Sequence, residues 1–154
     1  MAYVVAVAAP IGGGKSSLVR ALAQALGDAA TIFFDDYERA TEKSVAELAD
    51  WMARGADFDE LSAPGLARDL AAAKVGASAA EPSARAGAMP RNYVVFEMPL
   101  GREYSATAPL IDLLIWVDVP LDVALARKLK EFTGSFLSRR QHAPQEFVVW
   151  VDNY

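Results

Sequence analysis

A glycine run followed by Lys-Ser is the part of the chain whose residue types and spacing could do chemistry. Residues 9–17 read Ala-Pro-Ile-Gly-Gly-Gly-Lys-Ser-Ser, which matches the end of the phosphate-binding motif G-x-x-x-x-G-K-[ST], with Ala9 in place of its first glycine. Glycine permits the positive φ angles that let successive backbone N–H groups line a concavity for phosphate oxygens. We therefore expect a nucleotide phosphate site formed by Gly12, Gly13, Gly14, Lys15, Ser16 and Ser17.

Two of these residues have more specific roles in such a loop. Lys15 would reach the β- and γ-phosphates, and the Ser16 hydroxyl would bind Mg²⁺. A helix beginning near Lys15 would add its unpaired N–H groups and the positive end of its dipole. The alternative is an ordinary glycine-rich turn, but the apolar run Tyr3–Ala8 before the loop and the amphipathic run Ser16–Leu26 after it favour phosphate binding.

Acidic residues end two further apolar runs. Glu97 follows Val94-Val95-Phe96 and could hold Mg²⁺ through water or bind a substrate hydroxyl, the alternative being a surface acid at a strand end. Asp35 and Asp36 follow Ile32-Phe33-Phe34, and in an extended chain their side chains would point opposite ways. We predict Asp35 as the general base of a phosphoryl transfer and Asp36 as its substitute, against the alternative of turn-forming, helix-capping acids.

The elements that must position these residues alternate along the chain. Apolar runs predict strands at Tyr3–Ala8, Ala30–Phe34, Tyr93–Glu97 and Leu113–Val119. Helical spacing predicts helices after the glycine loop, after Ser44 with Glu47 in a capping box, from Pro64 to Lys74, and from Pro120 onward. Such alternation predicts a three-layer α/β domain with a parallel sheet, whose ligands bind at the carboxyl ends of the strands. The phosphate loop, the aspartate pair and Glu97 all fall there.

Composition narrows the class of protein. The 154 residues suit one domain, and 53% hydrophobic residues exclude a disordered chain. The lack of cysteine excludes a disulfide framework and a thiol nucleophile, and we expect a cytoplasmic protein without a membrane span. A net charge of −5 argues against a nucleic-acid partner. A basic segment between Arg127 and Arg140 indicates either a local anion site or a solvated helix face.

Four segments resemble the P-loop small-molecule kinases of the uridine kinase, phosphoribulokinase and pantothenate kinase group. They are Gly12–Ser17, Phe34-Asp35-Asp36-Tyr37, Val94–Glu97, and Trp116–Arg127. The resemblance implies the P-loop NTPase fold with a mainly parallel sheet of order 2-3-1-4. It also implies that Asp35 is the catalytic base. The family usually has a fifth strand, which is not evident before Tyr154 and leaves a C-terminal truncation open.

The same resemblance implies a basic lid over about residues 127–142, in which Arg127 and Lys130 clamp the transferring phosphates and Arg139 and Arg140 could assist. It implies an enzyme that uses ATP and Mg²⁺ to phosphorylate a hydroxyl of a small, nucleoside-like molecule. Another P-loop NTPase and a non-catalytic ATP-binding module are the alternatives. Arg39, Arg102 and several aromatic residues could line the acceptor pocket, with surface and core positions as the alternatives; the aromatics are Phe33, Phe34, Tyr37, Trp51, Phe58 and Tyr104. His142 is expected to be exposed.

Overall fold

A computed structural model describes residues 1–38, 44–76 and 91–138. Its strands are β1 (Tyr3–Ala8), β2 (Ala29–Phe33), β3 (Tyr93–Glu97) and β4 (Leu113–Trp116), and its helices are α1 (Lys15–Leu26), α2 (Val45–Ala53), α3 (Leu66–Lys74) and α4 (Leu121–Ser138). Short 3₁₀ turns cover Phe34–Asp36, Phe58–Glu60 and Ala108–Leu110. None of the helices in these ranges is long and apolar enough to cross a membrane.

The four described strands form one parallel sheet in the order β2-β3-β1-β4. The register brings Glu97 at the end of β3 level with Phe33 on β2 and Val7 on β1. Because the strands are parallel, their carboxyl ends meet at one edge, where the segments that follow β1, β2 and β3 emerge side by side. The α/β architecture and the strand order 2-3-1-4 are as the sequence predicted.

The core lies on both faces of the sheet. Alternate residues of β1 point to opposite faces, so that Val4 and Ala6 pack with Leu66 and Leu70 of α3. Val7 instead packs with Val19 of α1 on the other face. The sheet is therefore sandwiched between helices, and its central strand β1 is almost completely buried, as near-continuous apolar runs predict.

Helix boundaries follow local capping chemistry. The capping box predicted at Ser44 is present: its Oγ accepts from the Glu47 N–H at 3.3 Å, and the Glu47 carboxylate accepts from the Ser44 N–H at 2.7 Å. The helix expected from Pro64 begins instead at Leu66, because Gly65 takes a left-handed conformation as the N-cap residue. Similarly, α4 begins at Leu121, directly after Pro120, and β4 ends at Trp116, three residues earlier than expected.

The turn given as the alternative for Asp35 and Asp36 is the conformation observed. Instead of an extended chain with side chains pointing opposite ways, the two residues form a 3₁₀ turn with Phe34, and both are exposed. Phe34 is buried, and the Tyr37 N–H closes the turn on the Phe34 carbonyl at 2.9 Å. Burial of this aromatic ring thus directs the two carboxylates outward. Predictions for Arg39 and for the lid residues 139–142, with Arg139, Arg140 and His142, lie outside the described residues.

Candidate functional site

The glycine loop joins the buried strand β1 to helix α1 and adopts the conformation that glycine permits. Gly12 and Gly14 have φ angles of 78° and 91°, and Gly14 is the left-handed N-cap of α1. A Cβ atom on Gly13 would lie 2.7 Å from the Ala9 Cβ and 2.8 Å from the Pro10 carbonyl oxygen. The methyl group of Ala9, the departure from the motif, therefore occupies space that the missing Gly13 side chain leaves.

Gly12 lies against the backbone of α4. A Cβ atom on this residue would lie 2.2 Å from the carbonyl oxygen of Ala124, which is a buried residue in the first turns of α4. The backbone of the loop therefore touches the backbone of α4. This contact places α4, the helix that carries the predicted lid bases, directly against the phosphate loop.

The Lys15 side chain folds back over the loop. Its Nζ donates to the carbonyl oxygens of Ala9 and Pro10, both at 3.2 Å, and the residue is only 8% exposed. Burial lowers the pKa of Lys15, although the negative charges of Glu97 and Asp35 raise it. The ammonium thus rests on neutral carbonyl dipoles, within reach of two carboxylates.

Glu97 is the buried carboxylate of the site, with 4% of its surface exposed. Burial raises the pKa of Glu97, and the negative charge of Asp35 raises it further. Hydrogen bonding with the Ser16 side chain and the positive charges of Lys15 and Arg20 lower it. A cation would stabilise a buried carboxylate of this kind, and Ser16 and Glu97 could supply two oxygen ligands to it.

Asp35 lies close enough for its charge to act on both Lys15 and Glu97. The register explains this proximity, because β2 and β3 are neighbours and Asp35 follows Phe33, the partner of Glu97, by two residues. Unlike Glu97, Asp35 is exposed. An exposed carboxylate at the strand edge could receive a proton from a bound hydroxyl group.

The basic residues of α4 are arranged differently from the predicted clamp. Arg127 and Lys130 are exposed, whereas the Lys128 side chain is only 23% exposed. Lys128 donates to Glu131 Oε1 at 3.0 Å, and its positive charge is one of those that lower the pKa of Lys15. Sequence reasoning missed Lys128, because nothing in the sequence shows which face of α4 meets the loop.

Arg20 is a second residue that the sequence did not single out. Its guanidinium lies 4.8 Å from the centroid of the Phe33 ring, and its positive charge acts on Glu97. Arg20 stands one helical turn after Ser16, so both residues share a face of α1. That spacing is the signal that could have identified it. Phe33, considered for the acceptor pocket, is thus covered by Arg20.

The other aromatic candidates are mostly structural. Phe34 and Tyr104 belong to the core, and Tyr37 packs against it while donating to Asp69 Oδ2 at 3.1 Å. Trp51 is buried, and its ring centroid lies 6.0 Å from that of Phe58. The exposed Arg102 donates to the Ala108 carbonyl at 3.0 Å. The described residues therefore do not gather these side chains into one aromatic cluster.

The few oxygen ligands available at this site suit Mg²⁺ better than a metal ion that is coordinated by protein side chains alone. Within the described ranges, no group of three or more histidine, cysteine, aspartate or glutamate side chains could hold a metal ion. Mg²⁺ commonly takes only one or two protein oxygens and completes its octahedral shell with water and substrate phosphate. Ser16 at the start of α1 and Glu97 at the end of β3 fit that requirement, since the Ser16 hydroxyl acts on the pKa of Glu97.

Comparison with known proteins does not assign this chain. No model of a known protein family matches it, and no curated protein is significantly similar to it. Any functional conclusion therefore depends on the geometry of the site.

Proposed function

We propose that the chain is a phosphotransferase with a P-loop NTPase fold, related to the uridine kinase group of small-molecule kinases. In this proposal it uses ATP and Mg²⁺ to phosphorylate a hydroxyl group of a small, nucleoside-like molecule. The observation that supports it most is that the loop with Lys15 follows β1, Asp35 follows β2 and Glu97 ends β3, all at the carboxyl edge of the parallel sheet. There the glycine loop has a positive-φ conformation and opens a helix.

The loop and α1 would bind the triphosphate. Backbone N–H groups from Gly12 to Ser17 would bind phosphate oxygens at the positive end of the α1 dipole. The Lys15 ammonium would leave the carbonyls of Ala9 and Pro10 and bind the β- and γ-phosphate oxygens. Charged phosphate oxygens accept stronger hydrogen bonds from the Lys15 ammonium than neutral carbonyl oxygens do, and this gain compensates for the cost of burying the ammonium.

Ser16 and Glu97 would hold Mg²⁺, the Glu97 carboxylate either directly or through water. When bound, Mg²⁺ would neutralise charge on the β- and γ-phosphate oxygens. Arg20 would keep Glu97 ionised and in place, since it is anchored on the Phe33 ring and its charge acts on this carboxylate. A bound cation would lower the pKa of Glu97 and so oppose the effect of its burial.

Asp35 would act as the general base. Its carboxylate would accept the proton of the acceptor hydroxyl while the hydroxyl oxygen attacks the γ-phosphorus and ADP leaves in line. The exposed position of Asp35 supports this role, because an acceptor entering from solvent can reach it. Its proximity to Lys15 would align the acceptor with the phosphate that Lys15 holds.

One observation favours a second candidate, a non-catalytic ATP-binding module. Arg127 and Lys130, which the family resemblance assigns to the phosphate clamp, are both exposed. A protein without a working clamp could bind ATP and signal its presence to a partner. Such a module would share the phosphate loop with a kinase but would not need a base at Asp35.

An ADP-release assay with ATP, Mg²⁺ and a panel of nucleosides, pantothenate and sugars tests the proposal. We expect release that depends on one acceptor, is abolished in Lys15→Met, and falls by about 10²- to 10⁴-fold in Asp35→Asn while ATP affinity is kept. The same change at Asp36 tells which of the two carboxylates is the base. ATP binding without turnover for any acceptor supports the binding module, and absence of ATP binding refutes both candidates.

A further inference from the structure

The contact between α4 and the phosphate loop fixes which face of α4 meets the nucleotide. The Ala124 carbonyl lies so close to Gly12 that a single added carbon would be 2.2 Å away. Residues four apart in a helix lie on the same face, so Lys128 stands one turn beyond this contact on the loop side. Its partial burial agrees with this orientation, whereas Arg127 and Lys130 are exposed.

Two cationic side chains therefore belong to the elements that meet at the loop. Lys15 opens α1, and Lys128 stands on the face of α4 that contacts Gly12, where its charge acts on Lys15. Two like charges repel each other, but an anion placed between them attracts both. The anion that the loop is built to hold at the Lys15 ammonium is the β,γ portion of a triphosphate.

We propose that Lys128 is a second phosphate-binding cation, which contacts the β- and γ-phosphate oxygens from the opposite side to Lys15. This inference rests on the proposed nucleotide site. Lys128 donates to Glu131 Oε1 at 3.0 Å, and the Glu131 side chain is 65% exposed. The flexible four-carbon stem of lysine lets the ammonium exchange the Glu131 carboxylate for phosphate. Glu131 thus competes with the nucleotide for Lys128.

Titration calorimetry of the whole chain with ATP, ADP and AMP in the presence of Mg²⁺ tests this role. We expect Lys128→Gln to weaken ATP binding about tenfold or more and AMP binding hardly at all, and Lys128→Arg to restore much of the loss. Glu131→Gln should tighten ATP binding, because it removes the competing carboxylate. A merely structural role for Lys128 would not produce these opposite effects. Arg91→Gln is the matched control, since Arg91 precedes β3 at the amino ends of the strands, opposite the end where the phosphate loop lies.

The outcomes separate this inference from the proposed function. If wild type binds ATP and Lys15→Met does not, but Lys128→Gln binds like wild type, the role of Lys128 is refuted and the nucleotide site stands. A larger loss in Arg127→Gln or Lys130→Gln than in Lys128→Gln also refutes it. If wild type binds no ATP, the proposed function and this inference both fall. If Lys128→Gln does not fold, Glu131→Gln provides the test instead. An ATP affinity equal to that of wild type would refute the proposed competition between Glu131 and the nucleotide for Lys128.

Discussion

Replacing Gly12 with alanine tests the contact between the phosphate loop and α4 by its effect on stability. A non-glycine residue at a φ of 78° costs about 1–2 kcal/mol. The new Cβ would also lie 2.2 Å from the Ala124 carbonyl oxygen, and forcing the two backbones apart costs about 1–3 kcal/mol more. The lower entropy of the unfolded alanine chain returns about 0.4–1 kcal/mol. We therefore expect the free energy of unfolding to fall by about 1–5 kcal/mol, measured by urea titration without nucleotide.

Gly14→Ala is the matched control, because it shares the backbone cost without the collision. Gly14 has a φ of 91°, and among the described residues no atom lies within 4 Å of its added Cβ, apart from its neighbours in the chain and helix. Its loss should be smaller than that of Gly12→Ala by about 1–3 kcal/mol, or several degrees in melting temperature. Equal losses in the two variants would refute the contact and, with it, the orientation of α4 on which the role of Lys128 depends.

Three further predictions concern stability. Hydrogen bonds from Lys74 and the Val4 N–H lower the pKa of Asp112. The ionised carboxylate therefore stabilises the fold at pH values above the ordinary carboxyl pKa, and this stabilisation is lost as pH falls through the lowered pKa. Asp112→Asn should therefore lower the free energy of unfolding by about 0.5–1 kcal/mol at pH 7, a value kept small by solvent screening, and have little effect in strong acid; a pH-independent loss would contradict this. Ser44→Ala should cost about 1 kcal/mol in urea titration and Ser44→Gly only a few tenths, because alanine cannot cap α2; equal costs would contradict the capping role. Since burial raises the pKa of Glu97, ionised Glu97 destabilises the ligand-free fold at neutral pH, and Glu97→Gln should raise the melting temperature there, an effect that shrinks as pH falls. The same variant should lose Mg²⁺-dependent stabilisation by ATP, whereas a lower melting temperature without ligand would contradict the assignment of burial as the dominant effect.

The sequence predicted the sheet well because its strands are buried on both faces. Continuous apolar runs such as Tyr3–Ala8 and Tyr93–Glu97 leave little choice of element, and both strands have the expected bounds. The capping box at Ser44 was equally clear, since two side chains at fixed spacing satisfy two backbone N–H groups. Strand burial and helix capping depend on residues that are close together in the chain, so a short stretch of sequence is enough to predict them.

The sequence said less about contacts between elements that are distant in the chain. Lys128 and Arg20 stand on amphipathic helices whose orientation is set by packing, in one case by the meeting of Gly12 and Ala124. For Asp35 the sequence left both an extended chain and a turn open, and a tertiary effect, the burial of the Phe34 ring, decides for the turn. The side-chain types indicated a site at the strand ends. Which basic side chains belong to that site is decided by the packing of the helices.

The central position of β1 has a consequence for how the protein is made. β1 is synthesised before its sheet partners β3 and β4, and its Val4 N–H bonds the Asp112 side chain across a separation of 108 residues. Contacts this distant in sequence form slowly. The apolar β1 segment must therefore remain uncovered until β3 and β4 have also been made. The phosphate loop, tethered between β1 and α1, should take its final shape among the last parts of the domain, and the nascent chain should be most prone to aggregation before then.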